Sequence, residues 1–212
     1  GGELVWRDRE RRMHEIVDAT AAPDWAHLIP KIAAITLVLL ATVVAAAAAG
    51  VAIQAIKGYT QFELLNYLRW FVVPLSISCV LIAVLSVFVQ VLVPQKFIGW
   101  GVMLLYLVGS IALATAGFEH NLYNYAGTPD VPLTDFDGTS RFGTGRFWFN
   151  LYWLAFALML CVVAYGLWRR GTTVELRPRL KRLPARLRAG AGAVLVVAFT
   201  AWAGIGGFIF YN

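Results

Sequence analysis

The chain has 212 residues, of which 59% are hydrophobic and only 14% charged, and its net charge is +6. A soluble domain carries about a quarter charged residues, so this composition excludes an ordinary soluble fold. It also argues against a nucleic-acid partner, because the positions of the basic residues follow the apolar runs and are explained by membrane topology.

The first element is charged. Residues 3–18, ELVWRDRERRMHEIVD, read as a helix with opposite-charge pairs four apart at Glu3–Arg7, Asp8–Arg12 and Arg11–Glu15. Each such pair contributes ~0.2–0.5 kcal/mol. Leu4, Val5, Met13, Ile16 and Val17 give it an imperfect apolar side, and Pro23 ends any continuous helix. These first residues are charged and hold no signal peptide. A start at Gly-Gly-Glu without Met, and a stop at Tyr211-Asn212 as an apolar run ends, are expected of an excerpt from a longer protein.

Five apolar runs follow, at residues 32–53, 71–93, 97–117, 147–168 and 190–210. About 20 apolar residues cross a ~30 Å hydrocarbon core as a helix, and lipid-exposed backbone must satisfy its own hydrogen bonds. The runs are too long for barrel strands. The expected fold is all-α: a polytopic membrane bundle of five helices preceded by an amphipathic helix. The first run is rich in small residues, ATVVAAAAAGVAI, which permit close helix approach. The second and third are joined by VPQK, a tight turn.

Threading these spans puts residues 1–31, 94–96 and 169–189 on one side, with 14 of the 18 Lys and Arg. The other side receives 54–70, 118–146 and the C-terminus, with only Lys57, Arg69, Arg141 and Arg146. By the positive-inside rule the first set is cytoplasmic. The stretch RPRLKRLPARLR, residues 177–188, is read first as a topology anchor on anionic lipid and second as a partner site. The cysteines, Cys79 and Cys161, both fall inside spans and read as small buried hydrophobes.

Candidate chemistry is sparse. HEIVD, residues 14–18, begins like a zinc-protease signature, but Asp18 stands where the second His is needed. His14, His27 and His120 all lie outside the runs, which disfavours a transmembrane haem. No ionisable side chain other than Cys and Tyr lies within the runs, so any transport must draw its energy from another domain or subunit. DFDG at 135–138 hints at a calcium loop, yet Arg146 occupies the twelfth position. A turn bent by Gly127, Pro129, Pro132 and Gly138 is the better reading. Glu119, His120, Asp130, Asp135 and Asp137 could still form a polar outer surface. RFWFNLYW then opens the fourth run with aromatics suited to interfacial depth.

The order of parts resembles the membrane half of a type-2 ABC exporter without its first two spans. In that family a cytoplasmic coupling helix rests on the ATPase subunit. RERRMHEIVDATAAP is similar to its pattern, with Met13, Glu15, Ile16 and Val17 on the Leu-Glu-Leu positions and Ala19-Thr20 kept. Ala21 stands where Pro is usual, and Arg12-Met13 replaces a small Gly-Thr pair. GFEHNLYNYAGTPDVPLTDFDG, with FWFNLYW and LWRRG after it, resembles bacterial permeases fused to a C-terminal gluzincin-type zinc aminopeptidase. GELVWRDRERRMHEIVDAT and IKGYTQFEL fit the same group, so the likeness covers nearly the whole chain.

The resemblance implies a coupling helix and linker at 1–27, four permease spans within 28–168, a basic linker at 169–189 and a fifth span at 190–212. It implies ATPase contact at Glu10, Arg12, His14, Glu15 and Asp18. At the extracytoplasmic loop, 118–146, it implies a cap closing the translocation path, with Glu119, His120, Asn121, Tyr123 and Asp130 the residues of choice. No catalytic residue, cofactor or metal is expected in this segment. ATP would sit on a partner subunit, and zinc only in a domain beyond Asn212. Expected partners are that subunit, membrane lipid and a second permease half or second copy, in a bacterial inner membrane. Two other readings stand beside it: a membrane anchor for an extracytoplasmic peptidase, and a structural subunit of a larger membrane complex.

Overall fold

The computed structural model describes residues 1–11, 13, 23–59, 61–118, 120–131, 140–169, 176–187 and 190–211. Among these there is no strand, and five helices are long and apolar enough to cross a membrane. In chain order the helices are α1 (Gly2–Glu10), α2 (Trp25–Ile56), α3 (Leu64–Leu92), α4 (Lys96–Thr115), α5 (Ser140–Gly166), α6 (Leu176–Arg186) and α7 (Gly190–Tyr211). The chain is a multi-pass membrane protein.

Helix ends differ from the apolar runs for identifiable reasons. α2 starts at Trp25 rather than near residue 32, with Asp24 as its N-cap residue. His27, Pro30 and Lys31 interrupt the hydropathy but not the backbone; Pro30 removes one backbone hydrogen bond and crowds the Ala26 carbonyl, yet the helix continues through it. α3 starts at Leu64, and its π-helical turn at Tyr67–Val72 lies just before Pro74. Pro74 has no N–H for the carbonyl four residues earlier, and the wider turn is the backbone's accommodation to that gap. α3 stops at Val93, which is extended, as the residue before Pro94 is biased to be. α4 stops at Gly117, whose φ of +89° is a left-handed cap that suits glycine.

α3 and α5 form the centre of the bundle: α2 packs on α3, α7 on α5, and α1 on the α3–α4 hairpin. One core cluster joins Leu28 and Ile35 of α2 to Ala83, Val87 and Val91 of α3 and to Ala164 and Leu167 at the end of α5. Leu4 and Val5 of α1 and Leu183 of α6 pack against it. The second cluster joins Leu81 and Val84 to Tyr152, Trp153 and Ala157, and gathers Leu122, Tyr125 and Trp202 around them. α4 is peripheral, with Gly99 its single buried residue. Its Leu104, Leu105, Leu107 and Val108 are exposed, as lipid-facing residues of a membrane helix are.

The clusters mark two ends. At one lie α1, the start of α2, the α3–α4 link and α6, which carry most of the described basic residues. We term this the basic end. At the other lie the turns of residues 116–118 and 120–131.

Candidate functional site

At the basic end α1 is fastened to the hairpin. Gly99 lies against the Gln90 carboxamide, where a Cβ would collide with it, and a Cβ on Gly2 would collide with the Trp100 indole. Gln90 is 1% exposed, and its Oε1 accepts from Trp6 Nε1 at 2.8 Å while its Nε2 donates to the Lys96 carbonyl at 3.5 Å. Lys96 in turn pairs with Glu10 at 2.6 Å and Glu3 at 3.1 Å. Lys31 Nζ donates to the Leu4 carbonyl at 2.7 Å, and Arg169 stacks 4.6 Å over the Trp6 ring. A cavity of about 30 Å³ between Trp6, Gln90 and Arg169 has room for about one water molecule. It is no substrate site.

α6 closes this end. A helix leaves its last four carbonyls unpaired, and two arginines supply donors for them. Arg179, 7% exposed, donates through Nη1 to the carbonyls of Val91 at 2.9 Å and Leu167 at 3.0 Å. It thereby ties the ends of α3 and α5. Arg186 donates to the Gly166 and Trp168 carbonyls at 3.4 and 3.0 Å and pairs with Asp24 at 3.5 Å, tying α5 to the start of α2. A positive charge at helix C-termini and a negative one at an N-terminus also suit the macrodipoles. The basic stretch is therefore more than a lipid anchor: two of its residues turn into the bundle, while Arg177, Lys181 and Arg182 stay exposed.

At the far end the loop is folded onto the bundle by its aromatic residues. Tyr125 donates its hydroxyl to the Leu81 carbonyl at 2.9 Å, and its own carbonyl accepts from the Tyr106 hydroxyl at 2.8 Å. Trp153 Nε1 donates to the Gly127 carbonyl at 2.8 Å, and Arg146 Nη2 reaches the Pro129 carbonyl at 3.4 Å. Tyr125 also meets the Trp153 ring edge-on at 5.3 Å. The turn is tight: a Cβ on Gly127 would lie 2.7 Å from the Asn121 carbonyl oxygen, and Ala126 sits at a φ of +64°. Burial raises the pKa of the Tyr125 phenol well above its ordinary value, so the hydroxyl stays a donor.

The residues singled out from sequence fare unequally. Glu10 lies at the basic end, ion-paired to Lys96. Arg12, His14, Glu15 and Asp18 lie outside the described residues, as do Glu119, Asp135 and Asp137. His120 accepts from the Leu122 N–H through Nδ1 at 3.2 Å and packs near Tyr123 and Phe149. Asn121 supplies the carbonyl beneath Gly127. Tyr123 is 62% exposed and meets Phe118 edge-on, and Asp130 is exposed. Gln90, Lys96, Arg179, Tyr125 and Trp153 were not singled out. The signal for Gln90 was available: it is a lone amide in an apolar run, FVQVLV.

Comparison with protein-family models, curated proteins and solved structures finds no match to this chain.

Proposed function

We propose that the chain is the permease component of an ATP-driven ABC-type transporter, coupled to a cytoplasmic ATP-binding subunit through residues 3–18. The observation that most supports this reading is the attachment of α1 to the α3–α4 hairpin. Trp6 on Gln90, and Glu3 and Glu10 on Lys96, would carry a displacement of α1 into two membrane helices at once. By the positive-inside rule the basic end faces the cytoplasm of a bacterial inner membrane. The partner's ATP cycle would then bias the spans between inward- and outward-facing states through differential contact with α1 and the residues after it. A second permease half or second copy would complete the path. The far-end loop would cap it, presenting His120, Asn121, Tyr123 and Asp130.

One observation favours a second reading. Arg179 and Arg186 bind the ends of α2, α3 and α5 into one unit, as a rigid anchor for an extracytoplasmic zinc aminopeptidase would need. A structural subunit of a larger membrane complex would need the same.

The test is gentle purification of the full-length protein from its own membrane, with identification of what co-purifies and assay of ATP hydrolysis. A stoichiometric ATPase whose coupling fails in Glu15→Ala and in Lys96→Ala is the expected result. Absence of an ATPase in several mild detergents, or unaltered coupling in both variants, rejects it in favour of the anchor or the structural subunit.

A further inference from the structure

α6 carries more charge than its attachments engage. Its sequence, LRPRLKRLPAR, holds five basic residues and no acidic one. Arg179 and Arg186 are turned to helix-end carbonyls and to Asp24. Arg177, Lys181 and Arg182 are exposed and, among the described residues, make no ion pair or hydrogen bond. The described carboxylates of the basic end, Glu3, Glu10 and Asp24, already pair with Lys96 and Arg186. Like charges four apart on a helix repel, and α6 has two such pairs, Arg177–Lys181 and Arg182–Arg186, with Pro184 inside it. Anions from outside the chain would remove that repulsion. Depth and shape identify their source. The bonds of Arg179 and Arg186 run to Val91, Gly166, Leu167 and Trp168, at the last turns of α3 and α5, so α6 lies level with the ends of membrane-crossing helices. Leu176, Leu180, Leu183 and Leu187 recur at helical spacing on one side, and the Leu187 N–H still reaches the Leu183 carbonyl. This stripe is seated on the bundle along one edge, where Leu183 lies against Gly166, and open along the other, where Leu180 is 46% exposed.

We propose that α6 is a binding surface for anionic phospholipid, whose phosphates meet Arg177, Lys181 and Arg182, and that the bound lipid fastens the bundle. A helix lying in the membrane surface buries its apolar side at the acyl boundary, which accounts for the open edge of the leucine stripe. At 100° per residue Arg177 and Lys181 follow one flank of that stripe and Arg182 the other, from which long basic side chains reach phosphate. By the positive-inside rule this end meets the leaflet with a negative surface potential. Neutralising the outer face stabilises α6, and α6 holds α2, α3 and α5 together through Arg179 and Arg186. A ligand that binds the fastened state therefore stabilises it by mass action. An acidic partner protein would satisfy the charges but would leave the depth of the helix and the exposed Leu180 unexplained. The inference rests on the membrane threading and not on coupling to ATP.

The test compares the full chain in phosphatidylcholine nanodiscs with the same chain in nanodiscs of equal phosphatidylcholine and phosphatidylglycerol. Each basic side chain close to an anionic surface contributes about fivefold to binding, so hydrogen exchange at residues 176–187 is expected to slow by about tenfold or more with phosphatidylglycerol. The melting temperature of the bundle should rise with it, and high salt should cancel both responses. The triple variant Arg177→Gln/Lys181→Gln/Arg182→Gln, confined to the exposed side, should fold in phosphatidylcholine and show neither response. Equal exchange in the two lipids overturns the proposal, and protection of α6 without a rise in melting temperature overturns the fastening. Equal protection by inorganic phosphate in phosphatidylcholine nanodiscs would assign the three residues to a free anion and overturn the lipid. So would a benzophenone amino acid replacing Leu180 that crosslinks in native membranes to a protein and not to lipid.

Discussion

Gln90 carries a primary amide into a run of apolar residues at a depth where an unpaired polar group is costly, and Trp6, Lys96 and the space left by Gly99 explain its presence. Gln90→Leu should strand the Trp6 N–H, and Gly99→Ala should force a methyl group onto the carboxamide, an overpacking worth about 1–3 kcal/mol. Both should lower the melting temperature in mild detergent. Trp153 does the corresponding work at the far end. Trp153→Phe leaves the Gly127 carbonyl without its donor, at a cost of about 1–3 kcal/mol, and should speed hydrogen exchange at residues 124–127. Tyr125 adds a pH dependence of definite sign. Burial raises its folded pKa, so its contribution is fully present below the unfolded value of about 10 and lost as pH rises beyond it. The stability difference between wild type and Tyr125→Phe should therefore hold steady to pH 9 and shrink above pH 10.

Among elements, α1 and α6 are the two whose roles depend on what they touch. α1 is a short charged helix, below the ~12–15 residues at which an isolated helix becomes even marginal, so its order comes from docking. Lys96→Ala should raise hydrogen exchange across Gly2–Glu10 while α3 and α5 stay protected. α6 is held by arginine donors. Arg179→Met removes a charged group hydrogen-bonded to two carbonyls and should destabilise the bundle by about 1.5–3 kcal/mol, whereas Lys181→Met on the exposed face should change little. Both arginines were visible in the sequence as part of a basic run. Nothing in that run separated Arg179 and Arg186 from Arg177 and Lys181, because the carbonyls that choose between them come from α3 and α5. Helix extents were legible to within a few residues wherever apolarity and helicity coincide, as in α7. They were misread at the starts of α2, α3 and α5, where His27, Lys31, Asn66, Arg69 and Arg146 make the first turns polar without breaking the backbone.

At the scale of the whole molecule, the separation of a basic end from an aromatic end predicts a topology. In a background with Cys79→Ala and Cys161→Ala, a cysteine at Lys181 should react with an impermeant maleimide only from the cytoplasmic side, and one at Tyr123 only from the opposite side. Reaction of both from one side would reject the threading. Composition and the length of the apolar runs alone determined that this is a helical membrane protein with five helices long and apolar enough to cross among the described residues, because burial in hydrocarbon demands long apolar runs whatever their neighbours. Tertiary structure alone decided which polar residues matter. Gln90, Arg179, Tyr125 and Trp153 are each satisfied by a backbone or side-chain group on another element, at separations from 26 to 88 positions along the chain. Hydropathy records the residue's own cost of burial and carries no information about the distant partner that offsets it.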